Sequence, residues 1–128
     1  MSLLNGLINE NVDRHTRDIL TLTATASITT ADHAGRTLLM GEVGGDAAAT
    51  FTLPAATGTG SVFKFVVSVV NTSNYLIKVA DATDTIDGQI VITDADGTAA
   101  SSMVTASASD TITLNGTTTG GGAIGDYV

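Results

Sequence analysis

Val62-Phe-Lys-Phe-Val-Val-Ser-Val-Val-Asn-Thr-Ser-Asn-Tyr-Leu-Ile-Lys-Val-Ala80 is the stretch on which the fold turns. From Val62 to Val70 the run is apolar on both faces and broken only by Lys64 and Ser68. That pattern predicts a central strand, or one whose second face is covered by another subunit. Asn71-Thr-Ser-Asn74 has the composition of a turn, so Tyr75–Ala80 is expected to fold back as the antiparallel partner in a hairpin.

On the N-terminal side, a period of two begins at Thr21. Leu22, Ala24, Ala26 and Ile28 fall on one face, with Thr21, Thr23, Thr25 and Ser27 on the other. Arg36–Val43 reads as a further strand, and Gly44, Gly45 and Asp46 as a turn leading into Thr50–Leu53. Pro54 ends that strand because it has no N–H to donate to a ladder. On the C-terminal side, strands are expected at Gln89–Thr93, around Met103–Ala106 and at Asp110–Leu114, with a last short one within Ile124–Val128. Asn115-Gly116 is a tight-turn signal, followed by a Thr- and Gly-rich stretch too permissive to fix register. About eight short strands with regularly placed turn signals predict an all-β chain, an antiparallel β-sandwich or barrel. No internal repeat of roughly 20 to 50 residues is visible.

Residues 1–20 differ from the β domain expected over 21–128. Leu4, Ile8 and Val12 recur at helical spacing with Leu7 beside them, among Glu10, Asp13, Arg14, His15, Arg17 and Asp18. Gly6, Asn5 and Asn9 weaken helix propensity. Two outcomes stay open, a short helix docked on its own domain or an N-terminal arm that orders against a partner. The arm is preferred, because the strands can close a core without it.

The 128 residues suffice for one domain with a modest core. There are three Phe, two Tyr and no Trp, so Val, Ile, Leu and Ala must supply most of the buried area. At roughly 25 cal/mol per Å² such a core offsets chain entropy narrowly, and association would add stability. Five Lys and Arg stand against 13 Asp and Glu, a net charge of −8, and after Lys78 there are acidic residues but no basic ones. The sign repels nucleic acid and anionic membrane surfaces, and no apolar run approaches the ~20 residues of a spanning helix. Without cysteine there is no disulfide framework or thiolate metal site. The N-terminus lacks the positive region of a secretory signal, so the sequons at Asn71 and Asn115 read as turns.

Groups for covalent chemistry are sparse. His15 and His33 are isolated, with no nucleophile elbow and no H-x-x-x-H spacing, and both read as surface or capping residues. Gly120–Gly125 satisfies G-x-G-x-x-G without a helix to receive a pyrophosphate. Asp94-Ala-Asp96-Gly97 resembles the start of a calcium loop but lacks its third ligand and its closing Glu, so a turn is the simpler reading. Weak calcium binding by Asp84, Asp87, Asp94 and Asp96 is a minority alternative. Carboxylates abound without the aromatic platforms that accompany sugar clefts. The expectation is a structural part rather than an enzyme, with no cofactor and no metal.

Ala31-Asp-His-Ala-Gly-Arg-Thr-Leu38, Phe51-Thr-Leu-Pro-Ala-Ala-Thr-Gly-Thr-Gly-Ser-Val-Phe-Lys-Phe-Val-Val67, Ile86-Asp-Gly-Gln-Ile90 and Ala108-Ser-Asp-Thr-Ile-Thr-Leu-Asn-Gly116 together resemble the small head decoration, or cement, proteins of tailed bacteriophages. The resemblance covers roughly residues 29–128. It implies a homotrimer on the outer surface of an icosahedral head, bridging and stabilising major capsid protein subunits, with no catalytic role. Many relatives of this kind continue past Gly125-Asp-Tyr127 with another strand carrying an aromatic, and if that strand is needed a neighbouring subunit must supply the edge. Leu3, Leu4, Leu7, Ile8 and Val12 are the expected capsid or intersubunit contacts, as apolar residues outside the β pattern. The alternative function is a receptor- or glycan-binding module of a phage tail fibre or spike, using the loop 116–122. Against it, the short chain has no repetitive or coiled-coil shaft.

Overall fold

The computed structural model describes residues 18–41, 48–70, 73–93, 100–115 and 122–128. Strands dominate and helix is almost absent, as the sequence predicts. In chain order they are β1 (Ile19–Leu22), β2 (Ala26–Ser27), a helical turn α1 (Thr30–His33), β3 (Thr37–Met40), β4 (Ala49–Thr52), β5 (Lys64–Val67), β6 (Tyr75–Lys78), β7 (Gln89–Thr93), β8 (Ala100–Val104) and β9 (Thr111–Leu114).

Two main sheets carry the fold. The first has the order β1-β3-β5 and the second β2-β4-β6-β9, while β7 and β8 form a separate two-stranded ladder. Up to β6 the chain changes sheet at every strand, so the crossover between two parallel neighbours is a strand of the opposite sheet. Parallel pairs need such a crossover, and here no helix supplies it. In register, Leu38 of β3 lies beside Leu20 of β1 and Phe65 of β5. In the second sheet Phe51 of β4 lies beside Ala26 of β2 and Ile77 of β6.

The antiparallel expectation is therefore corrected. The β1–β3, β3–β5, β2–β4 and β4–β6 ladders are parallel. Antiparallel pairing is confined to β6–β9, β7–β8 and a bridge between Val66 and Tyr127. The hairpin expected across Asn71–Asn74 does not form, because β5 and β6 belong to different sheets. Alternating burial reports that one face of a strand is covered; it carries no information on the direction of the neighbour. Val62–Val70 is also shorter as a strand than its apolar run, with Val69 and Val70 exposed beyond its end.

The expected central place of that run is met by pairing on both sides. β3 flanks β5 on one side. On the other, the Phe65 and Val67 N–H groups donate to the Val128 and Asp126 carbonyls at 2.7 and 2.8 Å, which brings the expected last strand into the first sheet. β4 stops at Thr52, ahead of Pro54. β1 begins at Ile19 and so straddles the boundary expected between residues 20 and 21.

Leu22, Leu38, Met40, Phe65 and Val67 of the first sheet and Ala49, Phe51, Tyr75 and Ile77 of the second, with Ile28, form one buried cluster. Phe51 links the sheets, stacking on Phe65 at 6.0 Å and on Tyr75 at 6.3 Å between ring centroids. Such pairs add roughly 0.5–1.5 kcal/mol each beyond their area. The buried Tyr75 hydroxyl donates to the Val69 carbonyl at 2.8 Å, so its polar tip is satisfied inside an apolar site. Asn115, also buried, donates its side-chain amide to the Ser73 carbonyl and to Asn74 Oδ1, tying the end of β9 to the start of β6.

Candidate functional site

The outward positions of the two main sheets differ in chemistry. On the first sheet one outward row is Ile19, Thr37 and Lys64, and the next is Thr21, Leu39, Val66 and Tyr127. Ile19 is 58% exposed and Tyr127 73%, while Leu39 and Val66 are half-buried. Lys64 Nζ lies 5.5 Å from the centre of the Tyr127 ring, a cation–π contact at the margin of this apolar surface. On the second sheet the outward positions are Ser27, Thr50, Thr52, Leu76, Lys78, Thr111 and Thr113. Leu76 is the one large apolar residue among them. The second sheet's outward face is thus polar but for Leu76, while the first sheet's sets Ile19, Leu39, Val66 and Tyr127 among Thr21, Thr37 and Lys64.

Two concavities lie where the main sheets meet the connection between β4 and β5. A cleft of about 270 Å³ is bounded by Leu53, Pro54, Phe63 and the exposed Ala55–Ser61 loop, in which Gly58 and Gly60 take the left-handed conformation. Beside it an apolar opening of about 140 Å³ is lined by Leu53, Phe63, Phe65, Ile77, Ile112 and Val128. Neither gathers groups suited to acid–base or nucleophilic work.

Among the described residues there is no cluster of three or more His, Cys, Asp or Glu side chains that could hold a metal ion. Asp81 closes a tight turn, accepting from Thr83 Oγ1 at 2.5 Å, from Thr83 N at 2.7 Å and from Asp84 N at 3.3 Å. These bonds, the Thr83 hydroxyl first, hold its carboxyl below the usual value. Asp84 instead accepts from the Ala56 N–H at 3.3 Å, bracing the Gly-rich loop. Asp94 and Asp96 lie outside the described residues. His33 serves in a cap: its Nδ1 accepts from the Thr29 N–H at 3.0 Å, while Thr29 Oγ1 accepts from the Asp32 N–H at 3.2 Å.

The expected contact residues Leu3, Leu4, Leu7, Ile8 and Val12 lie outside the described residues, as do His15 and residues 116–121. Ile19, Leu39 and Tyr127 were not singled out by the sequence. The available signal was consecutive apolar residues in short strands, Leu38-Leu39-Met40 and Phe65-Val66-Val67, where a strand with one wet face alternates. No protein-family model matches this sequence, and neither a curated protein nor a solved structure matches it.

Proposed function

We propose that this chain is a decoration protein of a tailed-bacteriophage head, a homotrimer that binds the outer surface of the shell and stabilises it by bridging major capsid protein subunits. The observation that carries this reading is the unequal dressing of the two main sheets. A body with one Thr-rich outward face and one apolar one is suited to sit against other protein surfaces, and its net charge of −8 keeps densely arrayed copies apart in water. The sequence segments resembling cement proteins supply Leu38, Phe51 and Phe65 to the core, so the resemblance and the scaffold concern the same residues. The two main sheets close as a sandwich, with Phe51 between their inner faces.

A cement protein needs no covalent step. It binds the assembled, expanded lattice better than separate subunits, and so shifts the equilibrium towards the assembled state by mass action. Leu3, Leu4, Leu7, Ile8 and Val12 make the shell or intersubunit contact.

Deletion of residues 1–17, which leaves β1 intact, tests this. The truncated chain is expected to fold and associate like the full chain while losing binding to expanded heads. Undiminished binding would remove the leader from the contact.

A further inference from the structure

An apolar leader and an apolar outward sheet face in one small acidic chain both carry a cost in water. We infer that in the free protein residues 1–17 cover the outward face of their own first sheet, with Leu4, Leu7, Ile8 and Val12 laid over Leu39, Val66 and Tyr127. This goes beyond the decoration reading, because it concerns the chain before any shell is met and holds whether or not the chain coats one.

Four observations select this occupant. The leader joins the body at that sheet: the Asp18 carbonyl accepts from the Thr37 N–H at 2.7 Å, and the next residue is the outward Ile19 on edge strand β1. Its length is sufficient. Seventeen residues reach about 25 Å even at the helical rise of ~1.5 Å per residue, whereas crossing from β1 to the 126–128 segment spans about 15 Å at ~4.8 Å per strand. Its charge fits as well. Arg14 and Arg17 balance Glu10 and Asp13, so the leader is neutral while the rest of the chain carries the whole net −8, and no like-charge repulsion opposes docking. Finally, covalent attachment gives the leader an effective concentration of order mM at its own sheet, well above that of any second copy in dilute solution. The second sheet offers Thr50, Thr52, Thr111 and Thr113 in the matching positions and no comparable apolar surface.

The chain has no cysteine, so a nitroxide can be placed on the full-length protein through Ile8→Cys alone. In dilute solution without capsids, the label is expected to broaden the amide signals of Leu39, Val66 and Tyr127 while leaving Thr50, Leu76 and Thr113 sharp. In a second sample, spin-labelled unenriched chains are refolded together with untagged isotope-enriched ones. Broadening of the same signals in this mixture assigns the face to a second copy and overturns the proposal, as does the absence of broadening in the first sample. In a Leu39→Asp variant the leader is expected to be released, with trypsin cleavage after Arg14 and Arg17 several-fold faster than in the parent chain. An unchanged cleavage rate in that variant, shown folded by circular dichroism, also contradicts the proposal. None of these readouts depends on binding to a shell.

Discussion

Phe51 is the residue on which the packing depends most. It is fully buried and contacts aromatic rings from both main sheets, so truncation leaves a void that neither sheet can close alone. Phe51→Ala is expected to cost about 3–5 kcal/mol, a large share of the ~5–15 kcal/mol that holds a small domain folded. Denaturant titration of the variant checks this, and a loss under ~1 kcal/mol would contradict the packing described. Asp81 gives a second test. Its lowered pKa means that the Thr83 bonds favour the ionised form, so their contribution is present above the unfolded-state value and fades as pH falls through the folded one. An NMR titration of the Asp81 carboxyl is expected to show a midpoint below the usual carboxylate range, and Thr83→Val to raise it. An identical midpoint in the variant would assign the shift elsewhere. At this scale the sequence was partly legible. The run Val62–Val70 marked the anchor of the core without telling which of its side chains point inward, and His33 read as a surface or capping residue, whereas the acceptor role of Asp81 arises from a turn geometry that composition does not encode.

Strand positions were largely readable and strand partners were not. Apolar runs between turn signals placed β3, β4, β5, β6 and β9 to within a few residues, whereas the single strand expected from Thr21 to Ile28 is divided into β1 and β2 on different sheets, since an alternating pattern does not show where a strand leaves its sheet. Direction is set by where the chain goes after each strand, and a polar connection such as 71–74 serves a corner between sheets as well as a hairpin. The alternation between sheets also leaves no internal repeat in the sequence. Successive register partners are unevenly spaced along the chain, from Ile19 to Thr37 in one step and from Thr37 to Lys64 in the next. The parallel arrangement has a direct consequence. Leu39 and Val66 are outward neighbours in the β3–β5 ladder, whereas Val66 and Leu76 face away from each other on different sheets. A Leu39→Cys, Val66→Cys pair is expected to close within one chain under a short bifunctional thiol reagent, and a Val66→Cys, Leu76→Cys pair to stay open. Failure of the Leu39–Val66 pair to close would contradict the β3–β5 ladder.

For the whole molecule, the acidic balance and the scarcity of catalytic side chains pointed from the outset to a structural role. The surface that would carry that role emerges only once the strands are placed. Ile19, Leu39, Val66 and Tyr127 lie far apart along the chain and share a face because of the ladder register, a tertiary fact without a local signature. Association is expected to follow from the modest core, and the purified chain should sediment as a trimer that dissociates on dilution with a loss of thermal stability. The most direct test of the central claim is co-sedimentation of the purified chain with expanded tailed-phage heads lacking their decoration protein. Saturable binding in fixed ratio to the major capsid protein, with heads that then resist heat or chelator better, is the predicted result. Heads that sediment without the chain, or that bind it at only a few sites per particle, would contradict it.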